Sequence, residues 1–108
     1  MKYAKLQDMV NGWFIGAFSP VAYKTDACEV AVKCYKAGDK EDSHYHKIAT
    51  EITLIVSGRV HMAGQEWGKD DIIIIYPGDV TDFEAITDCV NVVVKIPGAL
   101  NDKFLSKI

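Results

Sequence analysis

Residues 38–58, GDKEDSHYHKIATEITLIVSG, hold the reading on which the fold turns. His44 and His46 stand at i and i+2, so on a strand both imidazoles leave the same face. Gly38 to Ser43 reads as a polar turn and Ser43 to His46 as a short strand. Glu51 to Ser57 is a second strand of high β-propensity. Lys47 to Thr50 is long enough to turn the chain into an antiparallel neighbour, and such a hairpin would set Glu51 beside the two histidines. Two neutral imidazoles and one carboxylate on rigid strands suit a first-row divalent ion, Mn, Fe, Co, Ni, Cu or Zn, and leave positions open for water or substrate.

Outward from this stretch the chain is a series of short apolar runs separated by turn residues, the pattern of a small sandwich or barrel. Upstream, Trp13–Phe18 and Cys28–Lys36 read as strands, the second alternating Val30, Val32 and Cys34 against Glu29, Lys33 and Tyr35. Downstream, Gly58 permits a bend, followed by Arg59–Met62, Gln65–Trp67, Ile72–Tyr76, Thr81–Ile86 and Cys89–Ile96. Eight or nine strands result. The consecutive isoleucines Ile72 to Ile75 break alternation, which predicts a strand covered on both faces. Leu6, Met9 and Val10 fit one helical turn, and residues 101–108 read as a polar tail with Phe104 and Leu105 as anchors.

The spacing Gly38–(five residues)–His44–Tyr45–His46–(four residues)–Glu51–(six residues)–Gly58 resembles the first signature motif of the cupin superfamily at every spaced position. Gly68, the strand Asp71 to Ile75 and the turn Tyr76-Pro77-Gly78-Asp79-Val80 resemble part of the second. The resemblance implies an all-β fold, a small double-stranded β-helix (jelly-roll) cupin barrel. Residues 1–108 form one domain, with motif 1 over about 38–58 and motif 2 over about 68–83. It implies a metal on His44, His46 and Glu51. Thr81 falls where the family usually has a fourth ligand, a histidine. Three outcomes stay open: a three-ligand ion with Thr81 positioning a bound water, an oxygen ligand from Asp79 or Asp82, or loss of the metal.

With 108 residues, 49% of them hydrophobic and 25% charged, the chain is of ordinary globular composition. A net charge of -3 and a single arginine, Arg59, give no footprint for nucleic acid. The opening MKYAKLQDMVNGW lacks an uninterrupted apolar core, and no run approaches the ~18 residues of a membrane span. Cys28, Cys34 and Cys89 are odd in number without CxxC spacing, which points to buried thiols in a reduced, cytoplasmic protein. If Glu51 faces the lumen, so do Thr53 and Ile55. Ile52, Leu54 and Val56 then face outward and, with the isoleucine run, predict a homodimer interface; cover by Met1 to Phe18 is the alternative.

The function expected is a small-molecule-binding barrel with a mononuclear divalent-metal site, able to serve a metal-dependent enzyme whose substrate the residues do not name. The alternatives are a non-enzymatic ligand-binding or sensing module without metal, and a metal-free sugar-nucleotide isomerase or epimerase using histidine as base. The last needs lumen cations, for which Arg59, Lys33 and Lys36 are the candidates, with Lys33 expected to point outward. His61 is expected opposite Val60 and Met62.

Overall fold

The structure, a computed structural model, describes residues 1–106. After two short 3-10 turns at Leu6–Asp8 and Val10–Gly12, the described chain is β-structure. The strands are β1 (Trp13–Gly16), β2 (Tyr23–Lys24), β3 (Glu29–Tyr35), β4 (Lys40–Tyr45), β5 (Thr50–Ser57) and β6 (Arg59–Met62). They continue with β7 (Gln65–Gly68), β8 (Ile72–Ile75), β9 (Thr81–Ala85), β10 (Cys89–Ile96) and β11 (Phe104–Leu105). One sheet has the order β2-β1-β3-β10-β5-β8 and the facing sheet β11-β4-β9-β6-β7. No helix among the described residues is long and apolar enough to cross a membrane.

The two sheets close on Ile55, Val60, Met62, Ile73, Ile75, Phe83, Ala85 and Cys89, with Tyr35 and Trp67 packed against them. Each of these strands alternates, so one face meets the opposite sheet and the other meets solvent. Passage between sheets needs special backbone. Gly58 joins β5 to β6 at φ +84°, and a Cβ there would stand 2.2 Å from the Asp88 carbonyl oxygen. Only glycine fits.

Several expectations are corrected. The polar stretch before His44 is not a turn throughout, because β4 begins at Lys40 and pairs with β9. Within the described chain the isoleucine run is covered on one face only. Ile73 and Ile75 are buried against the facing sheet, while Ile72 and Ile74 are 59% and 49% exposed, so no second sheet among the described residues covers the outer face, and the expected cover by a partner subunit is left to it. The N-terminal segment does not cover that face; β1 lies beside β3, toward the other end of the sheet. Of the three free thiols only Cys89 is buried; Cys34 is exposed.

The expected C-terminal tail is ordered where it is described. β11 pairs with β4, Phe104 stacks on Tyr45 at 5.6 Å, and Lys47 Nζ sits 4.2 Å over the Phe104 ring. Phe104 anchors the segment, whereas Leu105 stays 66% exposed. Residues 107–108 of that tail lie outside the described residues.

Candidate metal and ligand site

A cavity of about 210 Å³ opens between the sheets. The five-stranded sheet and the loop after β4 give it His44, His46, Met62, Thr81 and Phe83; the six-stranded sheet gives Glu51, Thr53, Asn91 and Val93. The three expected metal ligands therefore share one cavity. The route differs from the hairpin expected: β4 pairs with β9 and β11, and β5 with β10 and β8, so Glu51 approaches the histidines from the facing sheet. Residues 46–49 carry the chain across the gap instead of folding it back on itself.

Both imidazoles are held in one tautomer. His44 Nδ1 lies 2.9 Å from the Asp42 carbonyl oxygen, and His46 Nδ1 is bonded to the Asp102 carbonyl oxygen. A carbonyl oxygen only accepts, so each Nδ1 donates its proton and each neutral ring keeps its lone pair on Nε2. His46 is 3% exposed, and its Nε2 has no hydrogen-bond partner among the described residues. The Glu51 Oε1 atom stands 3.5 Å from it. That is long for a hydrogen bond. It matches the ~3.4 Å between two ligands of a tetrahedral ion with bonds of ~2.1 Å.

Electrostatics couple the pair. The Glu51 carboxylate raises the His46 pKa above the ordinary histidine value against the opposing effect of burial, and the Asp102 carbonyl adds to the rise. Burial works to raise Glu51, but His46 and Lys95 outweigh it and hold its carboxyl below the usual range. Among the described residues no three His, Cys, Asp or Glu side chains are already gathered into a metal cage. The donor types, the fixed tautomers and the orphaned Nε2 nevertheless suit a divalent ion.

Thr81 is buried and pairs with His44 across β4 and β9, so it occupies the position beside the histidines that the motif assigns. Its hydroxyl donates to the Asp82 carbonyl at 2.9 Å, leaving oxygen lone pairs as its only contribution to the cavity. Asp79 is engaged elsewhere, accepting the Tyr76 N–H at 3.0 Å within the Pro77-Gly78 turn. Asp82 is exposed at the cavity rim. His61 pairs with Glu66 and Glu84 on the face opposite the buried Val60 and Met62, so it lies away from the histidine pair.

Two sets of residues escaped the sequence reading. Asp102, in the segment read as a tail, is buried, and its carboxylate accepts the N–H groups of Lys47, Ile48 and Ala49 at 2.9 to 3.2 Å. It caps the loop between His46 and Glu51, while its own carbonyl orients His46. Gly78 N–H adds a 2.8 Å bond to the His46 carbonyl. The second set is cationic. Lys33, expected outside, lines the cavity together with Lys95 and Lys103. Arg59 is on the surface, bonded to Glu66 at 2.8 Å across β6 and β7, so the cavity has no guanidinium for a diphosphate.

No protein-family model matches the chain, and no curated protein does. Solved structures match it well. It is similar to an uncharacterized conserved protein with a double-stranded β-helix domain from Klebsiella pneumoniae, at TM-score 0.69 and 24% identity over 78% of this chain and 74% of that one. It is similar to KdgF from Halomonas sp., at TM-score 0.62 and 17% identity over 68% and 72% of the two chains. A third is the bacterial pirin YhhW from Escherichia coli in complex with nickel(II), at TM-score 0.65 and 14% identity over 82% of this chain. This chain spans 39% of that pirin. At these identities the likeness is one of fold: the protein has the double-stranded β-helix of the cupins.

Proposed function

We propose that this protein binds a small molecule at a mononuclear divalent-metal site formed by His44, His46 and Glu51. One observation carries the reading: both histidines give Nδ1–H to backbone carbonyls, and the freed Nε2 of buried His46 has Glu51 as its neighbour and no hydrogen-bond donor. Backbone bonds of this kind fix metal-ligating histidines and raise their basicity. A bound ion of the Mn, Fe, Co, Ni, Cu or Zn series supplies Lewis acidity at its open positions. The chain's own residues shape the rest: Thr81 offers an oxygen beside His44, and Met62, Phe83 and Val93 limit access of water.

The test is metal content by plasma mass spectrometry on protein purified without chelator, beside His44→Ala/His46→Ala. About one ion per chain in the parent and none in the variant is the expected result. Equal content in both, or a parent that takes up no added Mn, Fe, Ni or Zn, refutes the reading. The second reading, a metal-free binding or sensing barrel, is favoured by the same His46–Glu51 spacing, since a protonated imidazole fits against a carboxylate at 3.5 Å.

We further propose a homodimer through the outer face of β5 and β8. Ile52 pairs with Ile74 and Leu54 with Ile72, giving a continuous apolar patch next to the open edge of the sheet.

A further inference from the structure

Opposite the histidines, on the wall that also carries Glu51, the cavity is lined by Lys33 and Lys95, and Lys95 is the register partner of Glu51. Their ammonium groups stand 5.8 Å and 5.0 Å from the same ring, that of Trp13. Among the described residues neither forms an ion pair; the lysine pairing present is Lys40 with Glu84 on the surface. Both side chains are half-buried, with exposed Lys103 as a third cation at the rim. Burial lowers the pKa of Lys33, and Lys95 and Lys103 lower it further, against Glu41 and Glu51. Glu41, which also lines the cavity, offsets the repulsion in part, and burial leaves the ammonium groups short of solvation that an anionic ligand would replace.

A second feature lies in the same row of the sheet. Asn91 is the register partner of Lys33 across β3 and β10, and of Ile55 across β10 and β5. It is 1% exposed, it lines the cavity, and its Oδ1 has no hydrogen-bond donor among the described residues. An acceptor buried in this way is costly unless a ligand supplies the donor. Cations and an unsatisfied acceptor on one wall therefore call for a molecule that has an anionic group and a hydroxyl. The space is that of about seven water molecules, so the molecule is small.

We propose that the ligand is a small hydroxycarboxylate, its carboxylate held by Lys33 and Lys95 and its hydroxyl donating to Asn91 Oδ1. The inference rests on the reading of the cavity as the working site and names what that site takes. The carboxylate enters as an anion and no bond is made or broken in binding. Trp13 supplies an aromatic ring within cation–π reach of both ammonium groups.

The experiment is an NMR titration of ¹⁵N-labelled protein with glycerate, and with glycerol as its neutral counterpart, with metal content measured on the same samples. Glycerate should shift the amides around Lys33, Asn91 and Lys95 in a saturable way, and glycerol should not. Lys33→Met/Lys95→Met should weaken glycerate by roughly tenfold or more for each amine removed, with metal content unchanged. Lys33→Arg/Lys95→Arg, which retains the charge, should keep most of the affinity and guards against a folding defect in the methionine variant. Unchanged affinity in the methionine variant overturns the proposal, as does absence of saturable shifts with glycerate, lactate and malate in metal-loaded protein. Saturable, lysine-dependent binding to a protein that takes up no metal upholds it and refutes the metal site instead. Loss of metal without loss of glycerate shifts in His44→Ala/His46→Ala likewise separates the two.

Discussion

Asp102→Ala removes one carboxylate and leaves three loop N–H groups, those of Lys47, Ile48 and Ala49, without their acceptor. Lys47 and Ile48 are exposed, so water replaces what they lose. Ala49 is 1% exposed and cannot be hydrated without opening the loop. An orphaned buried N–H costs about 1–3 kcal/mol, and loss of the two charge-assisted bonds near solvent adds about 1 kcal/mol, so about 2–4 kcal/mol is expected at pH 7. Asp102→Asn retains one acceptor oxygen and should lose about half as much. The penalty has a pH signature. Burial raises the Asp102 pKa, but the N–H groups of Ala49, Lys47 and Ile48 and nearby His46 outweigh it, so the folded value lies below the unfolded one. On acidification the unfolded chain therefore takes up this proton first. The stabilisation is complete above the unfolded value, near pH ~4, and disappears as pH falls through the folded one. Urea melts of parent and both variants at pH 7 and near pH 2 measure it, read as a shift in midpoint at constant slope. An Asp102→Ala variant within ~0.5 kcal/mol of the parent at pH 7, or a gap that does not narrow in acid, refutes the reasoning.

Thr81→His adds a third imidazole, and so a fourth ligand, beside His44. Metal dissociation should slow at least about tenfold, while overpacking costs the metal-free form about 1–3 kcal/mol; a dissociation constant equal to the parent's by chelator competition rules it out. In chelated protein the raised His46 pKa means that the His46–Glu51 pair stabilises the fold fully below the unfolded histidine value and is lost as pH rises through the folded one. An imidazole NMR titration should therefore place His46 above ~6.5, and Glu51→Gln should bring it down; a His46 midpoint unmoved by Glu51→Gln contradicts the pairing. For the dimer, Ile72→Lys/Ile74→Lys should convert the protein to monomer in light scattering, and a parent already monomeric at about 100 µM disposes of the interface.

What the sequence reveals and what it hides follow from range. His44 and His46 share a face because period two is a local property, and Thr81 lies beside His44 because the Pro77-Gly78 turn sets the register of β9. Glu51 was legible as a neighbour of the histidines, yet the sheet it comes from was not. Nothing in Lys47 to Thr50 distinguishes a hairpin from a crossing between sheets; the difference is made by Asp102, more than fifty residues away. In β3 the alternation was clear but its polarity was misleading. The apolar set Val30, Val32 and Cys34 suggests a core face, whereas the buried row is Glu29 and Ala31 with Lys33 and Tyr35, because the cavity it borders is polar. The isoleucine run shows only that both faces of β8 are apolar; Ile73 and Ile75 meet the facing sheet, and the run alone does not say whether Ile72 and Ile74 meet a second sheet or another subunit.

The two sheets divide the chemistry between them. The histidines and Thr81 belong to one side of the cleft, while Glu51, Asn91, Lys33 and Lys95 belong to the other. Each set is rigid within its own hydrogen-bonded ladder, so the distance between the sets is fixed by intersheet packing and by the 46–49 crossing. Ile55 and Val60, both fully buried, lie on facing sheets and act as spacers in that packing. Shortening such a spacer lets the cleft relax, and a donor pair 3.5 Å apart tolerates little of that before it ceases to match one ion. The small core is thus part of the site's geometry, and the Asp102 cap is the element that joins the two sets where no strand pairing does.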